Sequence, residues 1–160
     1  MKRNPRTRLK DFDYRGFYRY FVTICTDQKK RLLTNAGQVE TILAILREEA
    51  TKHAFTVWGY CFMPDHLHLL VEGNASTSDL KQFLKTFKQR TSYLYRNVTC
   101  GSAGKLWQPS YYEPVLRKDE DTVGVLRYMF NNPVRKELVQ YFPDYAYLGS
   151  FQIDLKEIFF

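Results

Sequence analysis

The chain is poor in cysteine and histidine and has no long apolar run. Its three cysteines, at 25, 61 and 100, show no CxxC spacing. That excludes a disulfide framework and a cysteine-rich zinc site, and it fits a reducing cytosol. No apolar stretch approaches the ~20 residues of a membrane span. None of signal-peptide length follows the basic start MKRNPRTRLK, so export is not expected. With 8 Gly and 6 Pro in 160 residues, collagen-like and low-complexity architectures are excluded. Acid is scarce relative to base: Lys and Arg number 24 against 17 Asp and Glu, for a net charge of +7. Aromatics are plentiful, with 12 Tyr and 12 Phe. A basic, aromatic-rich chain suits nucleic acid, because cations neutralise phosphates and rings stack on unpaired bases. The length is that of one domain, 1–160, and buries roughly 70% of its unfolded surface, enough to fold without a staple.

Residues 1–15 read as a basic, flexible arm carrying Lys2, Arg3, Arg6, Arg8 and Lys10. Residues 17–26, aromatic and β-branched, predict a strand. Val39, Ile42, Leu43, Leu46 and Ala50 fall at helical spacing after Gly37. Phe55–Phe62 and His66–Glu72 predict two more strands, broken apart by Met63-Pro64-Asp65. A hairpin of this kind is antiparallel. Ser76–Val98 predicts a long helix, with Ser76 and Asp79 as a capping box and Leu80, Phe83, Leu84, Phe87, Thr91 and Leu94 as its buried stripe. Tyr111–Arg117 suits a fourth strand. A helix follows the acidic run 119–121 and ends near Asn131. The tail beyond 140 has no clear pattern. These elements predict an α+β fold: an antiparallel β-sheet with packed helices, near the ferredoxin-like split βαβ plan.

Two local patterns carry chemistry. His66 and His68 are two apart on a predicted strand, so both imidazoles project from one face and Leu67 and Leu69 from the other. Such a pair can grip one metal ion, and it can equally be two hydrogen-bonded histidines. A metal site needs a further ligand. Asp65 is adjacent but points away if the strand has already begun there, and Cys61 would supply sulfur and make the site zinc-like. His53, at a helix end, reads as a surface residue. Downstream, Tyr128 and Asn132 are four apart and share a helix face, although Pro133 pushes Asn132 toward the helix end. Lys81, Lys85 and Lys88 form a basic stripe on the long helix, which is either a phosphate-binding surface or a solvated face.

These residues resemble those of the single-tyrosine transposases of the HUH endonuclease class, and in particular the REP-associated tyrosine transposases. The resemblance rests on three blocks in order: His66-Leu67-His68 after Met-Pro-Asp, Leu106-Trp107-Gln108-Pro109-Ser110-Tyr111-Tyr112-Glu113, and Tyr128 followed by Asn132-Pro133-Val134. It spans about residues 15–145. It implies a metal-dependent single-strand DNA endonuclease and strand transferase acting at hairpin or palindromic repeats through a 5′-phosphotyrosine. It implies that Tyr128 is the nucleophile and that His66, His68 and Asn132 hold one divalent ion, Mg2+ or Mn2+. Relatives commonly have Gln where Asn132 stands. Tyr111 and Tyr112 are implied to be structural. Lys2, Arg3, Arg6, Arg8, Lys81, Lys85 and Lys88 are the candidate DNA contacts. The implied partner is single-stranded or hairpin DNA and not a membrane. The implied assembly is a homodimer with shared sites or a monomer, and the implied location is the bacterial cytoplasm at the nucleoid. The alternative is a non-catalytic or domesticated hairpin-binding protein. A zinc hydrolase fits worse, because the chain has no HExxH.

Overall fold

Tyr20, Val22 and Ile24 alternate with Arg19, Phe21, Thr23 and Cys25 along β1 (Arg19–Cys25), and this alternation gives the sheet two different faces. In the computed structural model, which describes residues 11–116 and 121–159, β1 is followed by α1 (Ala36–Lys52), β2 (Phe55–Met63), β3 (His66–Gly73), α2 (Leu80–Val98) and β4 (Val115–Leu116). Then come α3 (Thr122–Phe130), α4 (Asn132–Arg135), β5 (Leu148–Gly149) and α5 (Leu155–Phe159). The strand order is β4-β1-β3-β2-β5, and these pairings are antiparallel. β3 lies between β1 and β2, so the β1-α1-β2 unit is a split βαβ, as the sequence predicts.

One face of the sheet buries Tyr20, Val22, Ile24, Leu67, Leu69 and Val71 against α1 and α2. Val39, Ile42 and Leu46 of α1 and Phe83, Leu84 and Phe87 of α2 meet them there. Each such side chain contributes about 1.5–3 kcal/mol on full burial. The other face is divided. Its β2 side packs Cys61, Met63 and Leu70 against Leu126, Met129 and Phe130 of α3. The remainder carries His66, His68, Phe21 and Thr23. The tail adds Ile153, Leu155 and Phe159 to the second core, and Tyr145 donates its hydroxyl to Phe62 O at 2.6 Å. This tail has no legible pattern because its apolar residues follow neither helical nor strand spacing.

Helix starts are set by short polar side chains. Asn35, Asp79 and Asp121 accept backbone N–H groups from Gln38, Gln82 and Val123. The long helix therefore begins at Leu80, not near Ser76. Ser78 causes the difference: its hydroxyl donates to Ala54 O at 2.6 Å and holds a turn against the start of β2. The predicted fourth strand is also shorter. Pro114 cannot donate to a ladder, so Tyr112 makes one isolated bridge to Thr23 and, among the described residues of this segment, only Val115–Leu116 forms a strand with β1, Arg117 lying outside them. The arm ends earlier than expected. Tyr14 is buried, Phe12 packs edge-on against Tyr14 and Tyr18, and Arg15 pairs with Asp79. Aromatic burial anchors residues 12–15, while Lys2, Arg3, Arg6, Arg8 and Lys10 lie outside the described residues.

Gly59 sets how closely α3 approaches the sheet. The β2–β3 register shifts between Val57 and Gly59. A Cβ at 59 would meet Leu126 Cδ2 at 2.5 Å and Met129 Cε at 2.7 Å. Gly59→Ala is expected to destabilise the fold by about 1–3 kcal/mol through overpacking. Thermal denaturation checks this. An unchanged Tm would show that α3 is not seated on Gly59.

Candidate active site

The strand period places both histidines on the sheet face that α3 covers only in part. Their Nε2 atoms lie 3.0 Å apart. That spacing suits a hydrogen bond between the rings, and lone pairs so placed could also meet at one ion. The other nitrogen of each ring is tied down. His66 Nδ1–H donates to Asp65 Oδ1 at 2.5 Å, because an ionised carboxylate can only accept. That tautomer leaves a lone pair on His66 Nε2. His68 Nδ1 lies 2.9 Å from Thr23 Oγ1, its cross-strand partner in the β1–β3 register. A hydroxyl both donates and accepts, so Thr23 suits His68 with its Nε2 proton and also with Nε2 free to ligate. Burial, followed by the neighbouring His66 and Arg135, pushes the His68 pKa down to about 3. The ring therefore stays neutral, as a ligand must be.

From His68 a line of rings leads to the candidate nucleophile. Phe21 stacks on His68 with centroids 5.3 Å apart and planes at 17°. Tyr128, on α3, meets Phe21 edge-on at 6.4 Å. Tyr128 is 43% exposed, unlike Leu126, Met129 and Phe130 beside it, which are fully buried. The Arg135 guanidinium lies 4.3 Å from the centre of the Tyr128 ring. Its Nη2 donates to Tyr128 O at 2.9 Å and to Asn132 Oδ1 at 2.6 Å.

Three readings of the sequence change here. First, Tyr128 and Asn132 do not share one helix. Asn131 caps α3 and Asn132 opens α4, because Pro133 has no N–H with which to continue the α3 ladder. The Asn132 amide donates to Met129 O and accepts from Arg135, so Arg135 joins it to Tyr128. Secondly, the strand has not yet begun at Asp65: β3 starts at His66, and the Asp65 carboxylate reaches back to its ring. Thirdly, His53 is not a plain surface residue. Its Nε2 lies 3.1 Å from Glu49 Oε2 and 2.9 Å from Thr86 Oγ1, in a polar cluster that joins α1 to α2.

Cys61 shares the face of His68 but is fully buried, and burial pushes its pKa up to about 12. It keeps its proton, with Sγ 3.9 Å from Met63 Sδ. Among the described residues no group of three or more His, Cys, Asp or Glu is arranged to hold a metal. A metal held by the two imidazoles would therefore need a ligand of another kind, such as an amide oxygen.

The lysine stripe is not part of this constellation. α2 packs on the opposite face of the sheet. Lys81 lies over the Tyr14 ring at 4.8 Å, and Lys85 is exposed. Lys88 donates to Gln108 O at 2.6 Å and Pro109 O at 3.0 Å. It thus fastens the Trp107–Gln108 loop, whose Gln108 N donates to Cys25 O. Thr23, Phe21 and Arg135 join the site without standing out in the sequence. Thr23 and Phe21 become visible only once the β1–β3 register is known. Arg135 follows Tyr128 by seven residues across the break between α3 and α4, so helical spacing gives no sound signal for it.

Residues 17–132 match the family described as Transposase IS200 like. A Haemophilus influenzae strain Rd protein named as a REP-associated tyrosine transposase is 26% identical over 155 residues, covering 92% of this chain and 86% of its own. Among solved structures, a REP-associated tyrosine transposase bound to a REP hairpin has the same fold. Its TM-score is 0.71 at 18% identity, over 89% of this chain and 81% of that one. A Deinococcus radiodurans R1 crystal structure assigned as a transposase gives 0.52 at 22% identity, over 79% of this chain and 96% of that one. The family match runs from β1 through the histidine pair to Asn132, and the chain belongs to the IS200-like transposases, enzymes that cleave and rejoin DNA.

Proposed function

We propose that this transposase nicks and rejoins single-stranded DNA beside a hairpin or palindromic repeat, with Tyr128 as the nucleophile. The observation that carries this reading is the paired His66 and His68 Nε2 atoms, 3.0 Å apart, joined to Tyr128 through the single ring of Phe21. His66 and His68 would hold a divalent ion, Mg2+ or Mn2+, with Asn132 as the third ligand once its oxygen is released by Arg135. When bound, such an ion polarises the scissile phosphate. Tyr128 Oη attacks phosphorus as the bond to the 3′-oxygen breaks. The phenolic proton leaves the tyrosine, the 3′-oxygen leaves as a hydroxyl, and a 5′-phosphotyrosine remains. The ester conserves the bond that rejoining needs, and covalent catalysis divides one hard step into two. Asp65 and Thr23 fix the imidazoles. Arg135 holds the backbone and ring of Tyr128 and supplies positive charge beside the reacting phosphate.

The DNA backbone is held by the basic arm of Lys2, Arg3, Arg6 and Arg8, and by Lys81 and Lys85. Lys88 serves the Trp107–Gln108 loop in the free protein. Deleting residues 1–10 is expected to weaken hairpin binding and flatten the plot of log affinity against log salt, by roughly 0.7–0.9 for each phosphate that is no longer neutralised. Titrations at several salt concentrations measure this, and an unchanged slope would remove the arm from the interface. The proposal as a whole is tested with a labelled hairpin oligonucleotide. A denaturation-resistant protein–DNA adduct that needs a divalent ion supports it. Tight hairpin binding with no adduct under any metal condition would leave the non-catalytic alternative.

A further inference from the structure

We propose that the cleft between β4 and α3, beside Tyr128, is a nucleobase pocket in which Asp121 selects a base bearing an exocyclic amino group next to the cleaved phosphodiester. This inference rests on Tyr128 being the nucleophile. The cleft is shallow and open, with a volume of about 350 Å³, and is lined by Phe21, Pro114, Leu116, Asp121, Val125 and Tyr128, with Gly124 at its wall. That volume lies at the small end of ligand clefts. Two of the walls are aromatic rings set nearly perpendicular, at 69°, and Pro114, Leu116 and Val125 make the others apolar. Bases of single-stranded DNA stack on such rings, with their Watson–Crick edges free for hydrogen bonding.

Among the described residues of this lining, the charged group is an acid, which is informative in a chain of net charge +7. A carboxylate beside a phosphate-binding site repels the backbone, so it is badly placed to hold phosphate. It is well placed to accept from a base amino group, as carboxylates do from cytosine N4. The two oxygens of Asp121 have separate duties. Oδ1 accepts Val123 N at 3.0 Å and caps α3. Oδ2 lies over Gly124, where a methyl group would meet it at 2.9 Å. Asp121 and Gly124 both line the cleft, and a bare glycine leaves this oxygen its place there. The wall is also fixed in place, because Arg19 donates to Thr122 Oγ1 and pairs with Glu72 of β3. The base favoured is therefore cytosine, adenine or guanine, and thymine, whose one imide N–H is flanked by two carbonyls that the carboxylate repels, is disfavoured.

The test reads binding, so that it is independent of cleavage. A pool of hairpin oligonucleotides with randomised single-stranded flanks is selected on the Tyr128→Phe protein, which keeps the ring and therefore the cleft. The bound DNA is then sequenced. One flank position is expected to disfavour thymine about tenfold, as for one good hydrogen bond gained or lost. Asp121→Asn keeps the helix cap, since Asn caps as well as Asp. It turns an amide donor toward the cleft, and the bias against thymine at that position should vanish or reverse. Gly124→Ala, which leaves the carboxylate in place but displaces Oδ2, should weaken the same bias. No thymine-disfavouring position, or the same bias in Asp121→Asn, overturns the pocket. The adduct assay on the unmodified protein reports separately on Tyr128, so the two failures are distinguishable.

Discussion

Replacing His66 and His68 together by Ala is expected to reduce metal-dependent adduct formation by at least about a hundredfold. A bound ion supplies several kcal/mol of charge stabilisation, and each ~1.36 kcal/mol is a tenfold change in rate. The fold should survive. Both side chains stand on the partly covered face of the sheet, while Leu67 and Leu69 between and beyond them remain buried in the main core. The local cost is the Thr23 hydroxyl left without its imidazole, about 1–3 kcal/mol. Calorimetric titration with Mn2+ separates loss of the ion from loss of the fold, because the double variant should melt cooperatively yet bind no ion. Asp65→Asn should be milder. It keeps the side-chain shape but weakens the grip on His66 Nδ1, and outer partners of this kind are typically worth about 10–100-fold in metal affinity. Full metal-dependent activity in the double variant would end the ion-binding assignment.

Tyr128→Phe is expected to abolish the covalent adduct while leaving hairpin affinity within about twofold. The substitution removes one oxygen. It retains the ring that meets Phe21 edge-on and lies against Arg135. Nothing in the apolar seat of α3, formed by Leu126, Met129 and Phe130, is disturbed. The neighbouring side chains on α3 offer no replacement nucleophile that could form the same ester. A loss of both binding and adduct would point to a structural role for the hydroxyl. An adduct that persists would move the nucleophile elsewhere, first to Tyr111 or Tyr112.

Local alternation and ordered motifs make the main features legible in the sequence. The period of two puts His66 and His68 on one face. The break at Met63-Pro64-Asp65 makes β2 and β3 a hairpin, and so an antiparallel pair. What stays hidden depends on segments that meet across long stretches of chain. Thr23 supports His68 only because β1 and β3 pair in one particular register. Ser78 delays the start of α2 only because Ala54 lies across from it. Strand alternation turns Asp65 away from His66, but Asp65 stands in the turn before β3, where alternation does not yet apply. Helical spacing joins Tyr128 to Asn132, whereas the chain breaks at Asn131 and restores the link through Arg135. The lysine stripe shows the limit of charge patterns. Equal spacing assigns Lys81, Lys85 and Lys88 one role, and their surroundings separate them: one lies over a ring, one is exposed, and one is bonded to two loop carbonyls.

Mapping the protein–DNA ester tests the central claim most directly. The protein is incubated with a hairpin oligonucleotide and Mn2+ or Mg2+, the reaction is quenched in denaturant, the DNA is trimmed with nuclease and the protein is digested for mass spectrometry. The expected product is a nucleotide remnant joined through a 5′-phosphate to Tyr128, on the peptide that contains Arg127 or follows it, and only when the divalent ion is present. A remnant on Tyr111, Tyr112 or any other residue, or one formed equally well in the presence of a chelator, would contradict it.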